Sequence, residues 1–240
     1  MWNKINQLRR LFRVSIWKTL FFNFYMLPFS QAIKLPVVLT RNVQFYNLSG
    51  KVILNSNKIK PYMVRFGFFG EDTMHWKSEK TLLKIEGTLI LEDKIQFANG
   101  IIIRVEKGAV LTIENNISIS NCTKIICYKN ILIKKNSRIA WECQIIDTSF
   151  HYIRNRIDKT YGSLNAPIII GANNWIGNRV TIMKGSETPD FCIVASGSLV
   201  NKKLDVPNYS LVAGTPVRLI KEDVYRVLGK EEKDLLKLNK

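Results

Sequence analysis

A chain of 240 residues, 46% hydrophobic and 23% charged, has room for one folded domain with modest extensions and none for a second full enzyme domain. Its 36 Lys and Arg against 19 Asp and Glu give a formal charge of +17, a surface field that favours polyanions, phosphate-bearing ligands or anionic lipid. The basic residues run along the whole chain without a zinc-finger, basic-zipper, RNA-recognition or helix-turn-helix pattern, so nucleic acid is not expected as a partner. Cys122, Cys127, Cys143 and Cys192 lack CxxC spacing and sit in apolar runs, which suits buried thiols in a reducing compartment. Neither a disulfide framework nor a metal site is expected.

Residues 9–29 mix Arg9, Arg10, Arg13 and Lys18 with Phe12, Trp17, Phe21, Phe22, Phe24 and Tyr25. Lys18, Asn23 and Pro28 interrupt the apolar run well short of the roughly 20 residues a bilayer span needs. The segment reads either as a peripheral membrane contact or as a helix packed on the body, and the absence of a following small-residue cleavage site predicts a cytoplasmic chain. Residues 1–80, with Pro36, Pro61 and strand-like runs such as Val37 to Leu39, are expected to form an N-terminal extension and cap, to which His75 is assigned.

From there the chain is organised by a period of six. Ile85, Leu91, Phe97 and Ile103 hold it first, then Ile113, Ile119 and Ile125, then, after a two-residue slip, Ile133, Ile139 and Ile145. It resumes at Ile170, Ile176 and Ile182, and continues through Val194, Val200, Val206 and Val212, with only Thr188 out of character. Small residues at Gly171, Gly177 and Ala195 follow the aliphatic position. A six-residue period fits neither a helix nor an alternating hairpin strand, but it fits short parallel strands each followed by a corner, three to a coil. The antiparallel-sandwich alternative lacks its Asn-Gly and Asp-Gly turns. The solenoid is expected over residues 81–216, and Val217 to Lys240 carries apolar residues at helical spacing interrupted by Gly229, predicting a C-terminal helical tail.

Between Ile145 and Ile170 the register breaks for a stretch too long for a turn, IDTSFHYIRNRIDKTYGSLNAP, and loops of this length in compact folds are usually functional or disordered. This loop, 147–167, holds His151.

Three passages, WECQIIDTSFHYI, PIIIGANNWIGNRVTIMKG and VASGSLVNKKLDVPNYSLVAGTPVRLIK, resemble those of the hexapeptide-repeat acyltransferases, in particular the bacterial sugar and polysaccharide O-acetyltransferases. The resemblance covers about half the chain. It implies an all-β, left-handed parallel β-helix, acetyl-CoA as donor with no metal, a glycan hydroxyl as acceptor and a homotrimer.

It also implies that His151 is the catalytic histidine. The chemistry agrees, because acyl transfer from a thioester needs an acceptor hydroxyl deprotonated near neutral pH, which imidazole does well. Asp147, four residues earlier, is the candidate to orient the imidazole. No GxSxG elbow is present and Cys143 sits where a small buried residue is expected, so direct transfer is favoured over a covalent acyl-enzyme.

For the coenzyme's phosphates the C-terminal hexads offer Lys184, Lys202, Lys203 and Arg218 beside turns at Gly185, Gly197 and Gly214. By resemblance Trp175, Gly177, Ala195, Ser196, Gly197, Ala213, Thr215 and Pro216 are contact candidates along a groove between subunits. The departure from the family pattern is Thr188-Pro189-Asp190-Phe191, which leaves one coil unassigned. Other readings are a small-molecule acceptor, a zinc-dependent hydratase on the same fold, which needs three histidines where this chain has His75 and His151, and a non-catalytic scaffold.

Overall fold

A computed structural model describes residues 13–68 and 79–238. As far as β20, strands that follow one another in sequence lie in different sheets, so the chain winds round a triangular prism. The first sheet holds β1 (Val37–Leu39), β4 (Val64–Phe66), β7 (Ile95–Phe97), β10 (Ser118–Ile119), β13 (Arg138–Ile139), β16 (Trp175–Ile176), β18 (Ile193–Val194), β20 (Leu211–Gly214) and β21 (Val217–Lys221). The second holds β2 (Val43–Asn47), β5 (Thr81–Ile85), β8 (Ile102–Val105), β11 (Lys124–Cys127), β14 (Gln144–Ile146), β17 (Thr181–Met183) and β19 (Leu199–Val200). The third holds β3 (Lys51–Leu54), β6 (Thr88–Leu91), β9 (Val110–Ile113), β12 (Asn130–Ile133) and β15 (Ile168–Ile170).

Pairing is parallel from coil to coil and puts the hexad residues in register. Phe97, Ile119, Ile139, Ile176, Val194 and Val212 stack along one sheet, and Ile103, Ile125, Ile145, Ile182 and Val200 along another. All are buried. At about 1.5–3 kcal/mol for each fully buried aliphatic side chain, these ladders are the main source of cohesion. Corners demand left-handed backbone, which asparagine tolerates better than most residues, and Asn116, Asn136 and Asn173 supply it with φ of 57°, 62° and 58° between the third sheet and the first.

The solenoid starts earlier than the hexads indicate. β1 to β4, inside the stretch 1–80 read as an extension, already pair with β5, β6 and β7 and form the first coils. Corners of unequal length hide their period. The slip between Ile125 and Ile133 is likewise a longer corner, at Cys127–Asn130. Thr188 is out of character because it is a polar corner residue. Its hydroxyl donates to Asn174 Oδ1 at 2.6 Å and accepts from Gly171 N at 3.0 Å, and Asn174 in turn donates to Pro189 O at 2.8 Å.

Helix α1 (Ile16–Met26) closes the open end of the prism. Asn23 is fully buried, donating to Val37 O at 2.7 Å and accepting from Val37 N at 3.1 Å, while Thr19 Oγ1 accepts from Leu39 N at 3.1 Å. These two side chains satisfy the exposed edge of β1 and remove a template for edge pairing. Phe22 fills the space beneath, its ring 5.9 Å from that of Phe45. A short helix, α2 (Phe29–Ala32), follows.

At the other end β21 turns back antiparallel on β20, so residues 217–221 are strand rather than helix, and only α3 (Lys230–Leu238) is helical. The predicted cap residue His75 lies outside the described residues.

Candidate active site

The long loop leaves the second sheet at the end of β14 and returns to the third at β15. It is a two-stranded arm rather than an irregular excursion. Ala166 N donates to Asp147 O, Ser149 N to Leu164 O, Gly162 N to Ile153 O and Asn155 N to Thr160 O, at 2.8–3.0 Å. Tyr152 and Tyr161 meet edge to face across it, with Arg154 over the Tyr161 ring.

His151 sits at the root of this arm, exposed, with its backbone held on both sides by Ser149. His151 N donates to Ser149 O at 2.7 Å, and Ser149 Oγ donates to His151 O at 3.1 Å. The intervening Phe150 takes a left-handed φ of 60°, and its ring meets Tyr128 edge to face. Lys184, at the end of β17, locks the assembly: its ammonium donates to Ser149 Oγ at 3.1 Å, to Leu164 O at 3.4 Å and to Ser163 O. The imidazole itself has no hydrogen-bond partner among the described residues, so both ring nitrogens are open to a ligand.

Asp147 does not reach the imidazole. Its side chain is fully buried, and its carboxylate accepts from Tyr128 N at 2.6 Å, Lys129 N at 2.8 Å and Asn130 N at 2.9 Å. Those amides belong to the long corner of the preceding coil, which would otherwise hold three unsatisfied donors away from water. The sequence-predicted orienting role is therefore replaced by a structural one: Asp147 anchors the start of the arm to the prism.

The remaining predicted residues divide between two corners. Gly177, Ala195, Ser196 and Gly197 follow strands of the first sheet at the corner where the chain turns into the second, while Ala213 lies near the end of β20 in the same column and Thr215 and Pro216 make the turn from β20 back into β21. A Cβ on Gly177 would lie 2.6 Å from Ser196 N, so the close stacking of these coils requires glycine there. Lys184, Lys202 and Lys203 follow strands of the second sheet and share the other corner with His151. Strand β17 and its flanking corner residues separate the two columns, and the three residues of the strand alone span about 10 Å at about 3.3 Å per residue. Lys184 is bound to the arm and Lys203 pairs with Glu187 at 3.0 Å, whereas Lys202 and Arg218 are exposed without an ion pair among the described residues.

Trp175 lies on the first sheet and lines a groove of about 680 Å³ with Gly177, Ser196, Trp141, Arg138 and Arg226. The C-terminal tail forms one wall. Tyr209 stacks on Phe191 and meets Tyr225 edge to face, and the Arg226 guanidinium sits 5.4 Å over the Trp175 ring and 3.1 Å from Glu232. Burial, and then the neighbouring Arg226, push the Arg138 guanidinium below its usual range against the opposing pull of Glu232, and it donates to Asn116 O and, at 3.1 Å, to Asn116 Oδ1. Arg138 lies in β13 and Trp141 just after it, in the coil before Trp175, and Arg226 sits in the tail, so only the winding gathers them into one groove, which the sequence reading missed.

Cys143 is unsuited to acyl-enzyme chemistry. It is fully buried, burial pushes its thiol up to about 11, and its Sγ donates to Gly177 O at 3.1 Å.

No family model matches the chain. Galactoside O-acetyltransferase of Escherichia coli is 30% identical over 107 residues, which is 45% of this chain and 48% of that protein. The polysialic acid O-acetyltransferase OatWY superposes with a TM-score of 0.53 at 15% identity, covering 82% of this chain and 98% of that one. The prism is thereby a left-handed parallel β-helix. The chain is similar in sequence to proteins named as acetyltransferases. It spans about half the length of the galactoside enzyme. An N-acyltransferase from Bacillus cereus, AntD, is another structural neighbour, with a TM-score of 0.41 over 84% of this chain and 89% of that one.

Proposed function

We propose that this protein transfers an acetyl group from acetyl-CoA to a hydroxyl of a surface glycan or its precursor. The observation that carries the reading is His151: an exposed imidazole with both nitrogens free, on a backbone locked by Ser149 and Lys184 at the root of an arm projecting from the prism. In the proposed reaction His151 takes the acceptor proton as the oxygen attacks the thioester carbonyl. The tetrahedral intermediate then expels coenzyme A, whose thiolate recovers the proton from the imidazolium. Transfer is direct, consistent with the burial of Cys143.

The donor's phosphates would be met by Arg138 and Arg226, and by Lys202 or Arg218, and its pantetheine arm would run past Trp175, Gly177, Ser196 and the corner column above them. The arm carries Arg154, Arg156 and Lys159 with Tyr152 and Tyr161, a set suited to stacking on sugar rings and to neutralising acidic groups. The separation between the His151 corner and the glycine corner supports a homotrimer in which each site takes one corner from each of two copies. The setting is the cytoplasm, at the inner face of the membrane.

The test is release of coenzyme A thiol from acetyl-CoA in the presence of acidic and neutral oligosaccharides, with acetyl incorporation read by mass. Release and a matching acetyl adduct on a glycan support the reading, and no transfer to any glycan overturns the acceptor class.

A further inference from the structure

The prism's N-terminal end carries a surface that the proposed reaction does not use. Helix α1 turns Thr19, Phe22, Asn23 and Met26 toward the first coil, the inward face of a helix. The opposite face leaves large apolar side chains in solvent. Ile16 is 74% exposed and Trp17 75%, with Phe21, Phe24 and Tyr25 continuing the face and Phe29 (72%) and Ile33 extending it beyond the helix. Single exposed apolar residues need no explanation, but seven within one helix and its exit form a contiguous patch of the kind that marks a binding surface. The rings are pre-arranged: Phe21 stacks on Tyr25 at 5.2 Å and Phe24 meets Phe29 at 5.9 Å.

Two observations identify what covers it. Because α1 satisfies the outer edge of β1, its exposed face looks along the prism axis, away from the three flat sides through which copies of a β-helix pack. Charge supplies the second. The first 70 residues contain 11 Lys and Arg and no Asp or Glu, so most of the net positive charge lies at this end. Lys34, Arg41, Lys51, Lys58 and Arg65, in the cap and the first two coils, are exposed and make no ion pair among the described residues. A groove of about 450 Å³ beside the helix, between Tyr25 and Lys51, continues the surface. Exposed aromatic rings at the same end of the prism as these cations match a bilayer interface that is apolar below and anionic at its headgroups.

No helix among the described residues is long and apolar enough to cross a membrane, so the contact is peripheral. We infer that the outward face of α1 and α2, with the basic first coils, docks this protein onto an anionic lipid surface. His151, four coils further along, then stands roughly 20 Å above the first coil at about 4.8 Å per coil, within reach of a membrane-anchored substrate.

The test is co-sedimentation of the full chain with phosphatidylcholine vesicles with and without phosphatidylglycerol, at low and high salt. The wild type is expected to bind the anionic vesicles, to release them at high salt, and to ignore phosphatidylcholine alone. Trp17→Ser/Phe24→Ser/Phe29→Ser and, separately, Lys34→Glu/Lys51→Glu/Lys58→Glu should each weaken binding at least about tenfold while keeping the wild-type circular dichroism and particle mass. The charge variant touches no core residue and guards against misfolding of the first. Unchanged vesicle binding in both variants overturns the inference. So does an aromatic variant whose particle mass falls while its vesicle binding persists, since the face would then join copies of this chain.

Discussion

The carboxylate of Asp147 accepts a hydrogen bond from the backbone N–H of Tyr128 at 2.6 Å, and that contact ties the root of the arm to the corner of the coil before it. Asp147→Ala would strand this amide and those of Lys129 and Asn130. The expected loss is about 3 kcal/mol of stability, with activity falling only as the folded fraction falls. Thermal melts set beside initial rates check this. A native melt with abolished activity would restore a chemical role for Asp147.

Lys184 acts on His151 through Ser149. Lys184→Met keeps the length of the side chain but removes the ammonium that bonds Ser149 Oγ and the two carbonyls. Turnover is expected to fall roughly tenfold or more through misplacement of the imidazole, with coenzyme A affinity nearly unchanged. Limited proteolysis at the arm's tip, residues 155–160, should quicken in parallel.

A site divided between two corners predicts complementation. Ser196→Trp fills the mouth of the donor groove beside Asn178, to which Ser196 Oγ donates at 2.6 Å, and His151→Ala removes the base at the other corner. Each variant alone should be inactive. Unfolding and refolding them together should restore part of the wild-type rate, because some interfaces then receive both intact corners. Recovery no greater than the sum of the two separate rates would place the whole site in one chain.

Acid should loosen the second sheet at a nameable group. Burial alone would raise the Glu106 carboxyl, but hydrogen bonds from Lys84, at 2.6 Å, and from Arg104 outweigh it and hold it below the ordinary value of 4.5. A carboxylate depressed in the folded state stabilises above its unfolded value, and that contribution disappears as pH falls through the folded one. Glu106→Gln should therefore cost roughly 1–2 kcal/mol at neutral pH, with the two stability curves converging as pH falls below the ordinary carboxyl range.

How much of this was legible follows from where each signal lies in the chain. The hexads from Ile85 to Val212 gave the prism because every coil repeats the same burial, and the break after Ile145 exposed the arm and His151. The first coils were read as an extension because β1 to β4 are short and separated by corners of unequal length, which erases a fixed period. Asp147 lay beside the histidine in sequence, but its partners come from the preceding coil, and sequence spacing carries no trace of stacking. Thr188 looked like a fault in the repeat. It is a hydrogen-bonded corner whose partners, Asn174 and Gly171, are themselves polar or small.

The most direct test of the account is the turnover of His151→Ala with acetyl-CoA and an accepted glycan, measured beside its melting temperature and coenzyme A affinity. The account predicts a fall of about 10²–10⁴-fold in turnover with the melt and the affinity unchanged, because the imidazole is exposed and makes no hydrogen bond among the described residues that supports the fold. Undiminished turnover in a folded variant would contradict it.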